Sequence, residues 1–149
     1  MSYIRNVELS DAEVLVEIYR PYVENTAISF ECETPSVDEF RSRIENISKK
    51  YPYIVMVEDD EIVGYAYAGR FKGRKAYDWC VETTIYVRED KKGGGYGKKL
   101  YLELEKRLKK QNILNMYACI AYTDNVDEHL TNNSMQFHEH MGFRLIGTF

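Results

Sequence analysis

The spacing of apolar residues along the chain switches between that of a helix and that of a strand. Apolar positions recur at helical intervals in some segments, whereas β-branched and aromatic residues run together in others. The predicted order of elements is β-α-α-β-β-β-α-β-α-β, with strands over residues 3–7, 53–57, 62–71, 78–87, 116–122 and 143–149. We predict one α/β (α+β) domain over residues 1–149, in which helices flank a mixed, mostly antiparallel central sheet.

Signals for helix ends set the predicted boundaries between these elements. Ser10 and Ser36 each precede a glutamate by three positions, which is the capping-box pattern that begins a helix. Pro21 is predicted to limit the first helix, because its ring has no N–H and clashes with the preceding turn. The last predicted helix, over residues 134–141, ends at Gly142, which supplies a left-handed C-terminal cap.

The composition narrows the class of protein. With 44% hydrophobic residues, 30% charged residues and a net charge of −4, the chain is predicted to be globular and to lack a nucleic-acid surface. Its three cysteines stand far apart and form no Cys-x-x-Cys pair, so we expect neither a disulfide nor a zinc site. The N-terminal segment lacks the apolar run of a signal peptide, and no stretch has the length of a membrane span. We therefore expect a cytoplasmic protein without nucleic-acid, membrane or metal partners.

The segment with the strongest chemical signal is the glycine-rich run Lys-Lys-Gly-Gly-Gly-Tyr-Gly-Lys-Lys over residues 91–99. It leaves a predicted strand and enters a predicted helix over residues 95–111, whose buried stripe is leucine-rich. Glycines let a backbone approach a ligand closely, and a helix N-terminus presents free N–H groups and the positive end of its dipole. The run predicts a loop that binds phosphate oxygens. Taken by itself, the segment is also compatible with a flexible turn.

The run differs from two other phosphate-binding loops. A P-loop requires Gly-x-x-x-x-Gly-Lys-Ser/Thr, whereas Gly93 and Gly97 are too close together and Lys98 is followed by Lys99. A Rossmann loop follows the first strand of its βαβ unit, whereas this run follows the fourth predicted strand. Neither loop is therefore predicted.

Residues 92–97 resemble the acetyl-CoA pyrophosphate loop of the GNAT acetyltransferases, whose pattern is Arg/Gln-x-x-Gly-x-Gly/Ala, with Lys92 replacing the Arg or Gln. Segments 26–31, 74–79, 81–87 and 133–143 resemble, in the same order, the phosphinothricin acetyltransferase group. On these residues the chain is identified as a member of the GNAT superfamily. The resemblance implies acetyl transfer from acetyl-CoA to the primary amine of a small amino-acid-like acceptor, of the phosphinothricin, methionine sulfone or methionine sulfoximine type.

The resemblance also implies where the coenzyme binds. Backbone amides of a strand, the glycine loop and the start of the last helix are expected to hold it: Ile85, Tyr86, Val87, Lys92, Gly93, Gly94, Gly95, Tyr96, Gly97, Lys98, Asn133 and Ser134. Thr131 stands where an Asn is more common, so Asn133 is expected to supply that contact or the contact is absent.

Two residues are candidates for catalysis. On the strand over residues 78–87, Glu82, Thr84 and Tyr86 share one face. Glu82 matches the proposed general base of the family, although an isolated strand glutamate is more often a solvated charge. His138 stands where the family often has a tyrosine that protonates the leaving thiolate. Two hypotheses stay open for His138: it is the proton donor, or it is a packing or coenzyme-contacting residue. The three histidines are not expected to form a metal site.

The acceptor is expected to contact Phe30, Glu31, Arg74 and Tyr77, which lie in segments that the family uses to close over its substrate. Arg74 is predicted to pair with a substrate carboxylate, with an ordinary surface arginine as the alternative. Trp79 is predicted to be a core residue.

The chain departs from the family in two places. The loop over residues 123–130 is acidic and differs from the shorter common form, and relatives generally run on through one more strand, which often supports a homodimer. Two other functions stay open: acetylation of a protein N-terminus or lysine, and a non-catalytic acyl-CoA-binding module. Retention of Glu82 argues against the module, and the aromatic, Arg-bearing segments favour a small closed pocket over an open groove.

Overall fold

The computed structural model describes residues 1–148, so Phe149 lies outside the described residues. The strands are β1 (Ser2–Asn6), β2 (Tyr53–Glu58), β3 (Glu61–Arg70), β4 (Cys80–Val87) and β5 (Asn115–Tyr117). The helices are α1 (Ala12–Asn25), α2 (Val37–Ser48), α3 (Tyr96–Lys110) and α4 (Asn133–His140). No helix within residues 1–148 is long and apolar enough to cross a bilayer.

The five strands form one sheet in the order β1-β2-β3-β4-β5. The first three pairs are antiparallel and the pair β4–β5 is parallel, which confirms the predicted mixed, mostly antiparallel sheet. Helices α1 and α2 pack on one face and α3 packs on the other, where its predicted leucine stripe is buried.

The face beneath α1 and α2 is built largely from tyrosine. Tyr53, Tyr65 and Tyr67 stack along β2 and β3, with ring centroids 4.6–6.4 Å apart. Tyr19 of α1 meets Tyr86 of β4 edge-on at 5.0 Å. Offset and edge-on contacts of this kind stabilise a core beyond the area they bury, so this face is rigid where it approaches β4.

Helix α1 departs from the prediction at both ends. The capping box predicted at Ser10 is wrong: Glu8 and Asp11 form the box, in the short turn just ahead of α1. There the Asp11 carboxylate accepts the N–H of Glu8 at 2.8 Å and two N–H groups of Arg5 at 2.8 and 3.0 Å. The limit at Pro21 is also wrong, since α1 continues through the proline to Asn25. The buried residues Tyr22 and Val23 that follow it hold the last turn to the core, which outweighs the lost helical hydrogen bond.

The cap predicted at Ser36 is present at the start of α2, because the Ser36 hydroxyl accepts the N–H of Glu39 at 3.1 Å.

The C-terminal strands also differ from the prediction. The strand predicted over residues 116–122 is confined to β5, because the chain leaves β4 after Tyr117 and loses its hydrogen-bonding partner. The strand predicted over residues 143–149 is wrong for 143–148, which run without strand pairing and are mostly exposed. With β5 so short, no extended neighbour is available there to complete a ladder. Gly142 has φ of 100°, as its predicted capping role requires.

Replacing Asp11 by Asn should lower the free energy of unfolding by about 1.5–3 kcal/mol at neutral pH, because Arg5 loses a charged hydrogen-bonding partner. Burial raises the pKa of the Asp11 carboxyl, but the hydrogen bonds from Arg5 and Glu8 outweigh it, so the pKa lies below its ordinary value. The stabilisation is therefore complete above the unfolded pKa of about 3.9 and is lost as pH falls through the lower folded pKa. Urea unfolding of both proteins across this pH range measures the effect.

Asp38→Asn is the matched control. Asp38 also lies at a helix start and pairs with Arg41, but its side chain is 93% exposed. The control should change the free energy of unfolding by less than about 1 kcal/mol. Equal effects of the two substitutions would contradict a special role for Asp11.

Candidate active site

A cavity of about 100 Å³ opens where β4 and the chain after β5 diverge. β5 pairs only with residues 80–82 of β4, which runs on to Val87. Residues 82–86 of β4 and residues 118–121 after β5 form the two walls of the cavity, and Ile28, Tyr101 and His138 help to close it. The end of parallel pairing therefore creates a cleft inside the sheet.

Backbone groups of β4 point into this cleft. The Trp79 carbonyl accepts the N–H of Leu114 at 2.8 Å, so alternate residues of the strand from Trp79 onward direct their backbone toward β5. Ile85 and Val87 belong to this set but lie beyond the last pair of the β4–β5 ladder. Their N–H groups thus have no ladder partner among the described residues and are available to a carbonyl oxygen in the cleft.

The glycine run lies between the end of β4 and the start of α3. Gly93 and Gly95 have φ of 84° and 80°, a conformation that favours glycine. A Cβ at either residue would meet no heavy atom within 4 Å, so the loop backbone is open to an approaching ligand. The first N–H groups of α3 are free at this point, and the loop therefore fits the pyrophosphate of a nucleotide-type coenzyme.

Tyr22 ties this loop to α1, a role that the sequence did not reveal. Its hydroxyl donates to the Val87 carbonyl at 2.5 Å, and the Lys92 ammonium stands 4.7 Å from the centre of its ring. Burial raises the pKa of Tyr22, so its hydroxyl stays protonated and keeps donating. Nothing in the spacing of residues along α1 distinguishes Tyr22 from the other residues of its buried face.

Glu82 lies on the tyrosine face of β4, with Thr84 and Tyr86, as predicted, and lines the cavity. Its carboxylate makes no ion pair and no side-chain hydrogen bond within residues 1–148. Its register partner on β3 is Gly69, where a Cβ would meet no heavy atom within 4 Å. Glu82 therefore combines a position in the cleft with a free carboxylate and open space beside it.

Glu31 is already engaged by protein groups. Its oxygens accept two hydrogen bonds from Arg43 at 2.6 and 3.1 Å, and one oxygen accepts the Tyr19 hydroxyl at 2.5 Å. Hydrogen bonds from Arg43 hold the pKa of the Glu31 carboxyl below its ordinary value, against the effect of burial. The pair fixes the loop between α1 and α2, from which Ile28 reaches the cavity, whereas Phe30 is 72% exposed and lies outside it.

The segment before β4 reaches the site only in part. Tyr77 contacts Phe71 with ring centroids 5.9 Å apart, and Phe71 stacks at 4.3 Å on Tyr117, the register partner of Glu82 on β5. Arg74 is exposed and is not among the residues that line the cavity.

The prediction that Trp79 is a core residue is wrong. Its side chain is 54% exposed, because it lies in the turn ahead of β4, outside both clusters of buried residues.

His138 is buried, with both ring nitrogens engaged. Nδ1 lies 2.6 Å from the Ser134 carbonyl and Nε2 lies 2.6 Å from the Tyr101 hydroxyl. Since a carbonyl only accepts, Nδ1 carries the proton and Nε2 accepts from Tyr101. Burial lowers the pKa of His138 and outweighs the hydrogen bond to Ser134, which acts in the opposite direction. The ring is therefore neutral at pH 7. Tyr101 is a cavity residue that the sequence analysis missed, since it lies on a helix predicted only to pack.

The polar residues just ahead of α4 and in its first turn are divided between the cavity and a loop. Thr131 and Ser134 line the cavity, whereas Asn133 is not among its lining residues. Asn132 holds the two ends of the acidic loop together through hydrogen bonds to the Thr123 backbone at 2.9 and 3.2 Å. The described residues contain no group of three or more metal-ligating side chains that could hold an ion.

Known proteins that resemble this chain are acetyltransferases. The model of the acetyltransferase (GNAT) domain family matches residues 4–149. The chain is 30% identical over 145 residues to the phosphinothricin N-acetyltransferase of Streptomyces viridochromogenes, which covers 97% of this chain and 75% of that protein. It is 29% identical over 147 residues to an L-methionine sulfoximine/L-methionine sulfone acetyltransferase of Pseudomonas aeruginosa, covering 97% and 81%.

A solved structure leads to the same family. A GNAT superfamily phosphinothricin acetyltransferase from Sinorhizobium meliloti, in complex with acetyl-CoA, superposes with a TM-score of 0.87 at 32% identity, covering 98% of this chain and 76% of that one. The fold and the coenzyme predicted from the sequence are thereby confirmed. The chain belongs to the GNAT superfamily and is an acetyl-CoA-dependent N-acetyltransferase.

Proposed function

We propose that the enzyme acetylates the primary amine of a small amino-acid-like acceptor of the phosphinothricin, methionine sulfone or methionine sulfoximine type. The observation that carries the proposal is the free carboxylate of Glu82 in the cleft between β4 and β5. Relatives that cover nearly the whole chain act on acceptors of this type.

Glu82 acts as the general base. An acceptor amine arrives mostly as ammonium, and only its neutral form attacks a carbonyl carbon, so a carboxylate must take the proton directly or through one water. Bound acetyl-CoA supplies the acetyl group as a thioester. The N–H groups of Ile85 and Val87, which point into the cleft, stabilise the negative charge that develops on the carbonyl oxygen.

The glycine loop and the start of α3, from Lys92 to Lys98, hold the coenzyme phosphates, with Ile85, Tyr86 and Val87 on the strand side and Ser134 at the far wall. Asn133, in the first turn of α4, contacts the coenzyme at most from outside the cavity. Thr131, just ahead of α4, lines the cavity instead. We assign His138 a positioning role: its Nε2 accepts a hydrogen bond from the Tyr101 hydroxyl and so fixes the residue that lines the cleft.

A small acceptor is favoured over a protein N-terminus or lysine because two loops meet beside the cleft. The Ala27 N–H donates to the His129 carbonyl at 3.0 Å, which joins the loop after α1 to the acidic loop ahead of α4. Ile28 and Thr131, one from each side of this junction, both line the cavity. A polypeptide acceptor requires an open groove, whereas both loops of this junction contribute side chains to a small cavity.

A coupled assay of thiol release from acetyl-CoA tests the proposal. Phosphinothricin, methionine sulfone, methionine sulfoximine, a polyamine and a peptide with a free N-terminus are offered as acceptors. Release with one of the first three acceptors supports the proposal. Release confined to the peptide would favour protein acetylation, and tight acetyl-CoA binding without release would favour a non-catalytic module.

We also propose that the enzyme works in the cytosol as a homodimer. Its three cysteines are free in the structure, and two of them are exposed, which suits a reducing compartment. Among the described strands β5 has a neighbour only on its β4 side, and an unpaired edge is a surface on which a second copy can pair. Sedimentation should give about twice the 17.5 kDa mass of the chain, and a monomer at micromolar concentration would refute the dimer.

Replacing Gly95 by Val should weaken acetyl-CoA binding at least tenfold, measured by calorimetry. A β-branched residue is strained at φ of 80°, and its side chain would stand where the phosphate approaches. Gly73→Val, in an open turn away from the loop and without positive φ, should bind the coenzyme as the wild type does. Unchanged affinity in a folded Gly95→Val protein would remove the loop from the coenzyme site.

Replacing Glu82 by Gln should lower the rate at neutral pH by about 10²-fold or more, because the shape is kept and the basicity is lost. Acetyl-CoA affinity should stay nearly the same. The deficit should narrow at higher pH, where more of the acceptor amine is already neutral. Glu45→Gln, on the exposed face of α2, is the control and should keep the wild-type rate. Near-native turnover of Glu82→Gln at neutral pH would show that this carboxylate is not the base.

A further inference from the structure

The position beside Glu82 is occupied by a residue without a side chain. Gly69 of β3 pairs in register with Glu82 of β4, and directly opposed residues of an antiparallel pair place their side chains on the same face, with Cβ atoms about 4.5–5.5 Å apart. Along this face the cross-strand pairs are Tyr65–Tyr86, Tyr67–Thr84 and Gly69–Glu82. The row of large side chains on β3 therefore stops at the residue that faces the proposed base.

The usual reasons for a strand glycine do not apply at Gly69. Its φ does not lie in the left-handed region, which Gly93, Gly95 and Gly142 adopt. No bulge occurs there, since the register of β3 and β4 runs without a shift from Gly64 to Arg70. No neighbouring atom lies close enough to exclude a Cβ, whereas at Gly64 a Cβ would meet the Tyr86 carbonyl at 3.1 Å. What remains is a site that a ligand approaches closely.

The surroundings of this open space suit a slender organic acceptor. Tyr67 borders it along β3, and Tyr117, the partner of Glu82 on β5, borders it across the sheet, with the Phe71 ring stacked against Tyr117. The register partner of Gly69 on β4 is Glu82, whose carboxylate pairs with no side chain within residues 1–148. Aromatic walls around one free carboxylate match an acceptor that brings an ammonium group on a short carbon chain.

We propose that Gly69 determines acceptor size: it keeps open the recess in which the carbon chain next to the acceptor amine lies while Glu82 takes the proton. The inference rests on the proposed function and adds to it a residue that sets which amines fit. Any side chain at position 69 would occupy the recess and displace the acceptor from Glu82, without touching the coenzyme loop at the other end of β4.

Gly69→Ala and Gly69→Val test the recess with phosphinothricin and methionine sulfoximine as acceptors. The acceptor KM should rise several-fold in Gly69→Ala and about tenfold or more in Gly69→Val, because each added methyl takes space from the acceptor. The KM for acetyl-CoA should not change. The midpoint of urea unfolding should stay the same or rise, since a side chain suits a strand interior better than glycine does. A purely structural glycine would give the reverse pattern, with lower stability and an equal loss for both substrates.

Gly73→Val is the matched control, because its Cβ also meets no atom within 4 Å but it lies outside the sheet. It should keep both KM values. Wild-type acceptor KM in folded Gly69→Ala and Gly69→Val proteins would overturn the inference; if the valine variant does not fold, the alanine variant decides. Absence of transfer by the wild type to every amine would overturn the proposed function instead. In that case the recess is tested by binding alone: calorimetry measures the affinity of phosphinothricin for the CoA complexes of the wild type and of Gly69→Ala. Weaker binding by the variant supports the recess, and equal binding contradicts it.

Discussion

Parallel pairing between β4 and β5 stops after three residue pairs, and the site depends on that early end. A complete ladder would satisfy the backbone of β4 and leave no room between the strands. Because β5 ends at Tyr117 while β4 continues to Val87, the sheet opens without losing its antiparallel half. The cleft thus has one wall of regular strand, whose free N–H groups are held in place by β3 on the other side.

The rigidity of that wall comes from the tyrosine face and from α1. Tyr19 and Tyr22 of α1 both pack on Tyr86, and Tyr22 also binds the Val87 carbonyl at the end of the strand. This explains why α1 must continue past Pro21: the turn that the proline was predicted to end contains Tyr22. A hydrogen bond within the helix is given up, and a contact that positions the end of β4 is kept.

The sequence predicted the parts of the site that depend on local chemistry. Glycines before α3, the strand face of Glu82 and the cap at Gly142 follow from the properties of single residues, and the structure agrees with each. The sequence did not predict where pairing ends, because the strand propensity of residues 118–122 is satisfied only if a neighbouring strand stays beside them. Trp79 was misplaced for a related reason: its hydrophobicity indicated a core, but the turn before β4 lies outside it.

The carboxylates of this face show why one of them is suited to accept a proton and another is not. Glu31 is bound by two N–H groups of Arg43 and by Tyr19, and these favour its charged form, so its pKa falls and it is a poor base. Glu82 lies on the same side of the sheet without such partners, and a proton that it takes does not break a hydrogen bond of the fold. The ion pair between Arg43 and Glu31 also matters for the loop between α1 and α2, from which Ile28 reaches the cavity beside Glu82. Because Arg43 neutralises Glu31, this loop adds no second free negative charge that would compete with Glu82 for the amine.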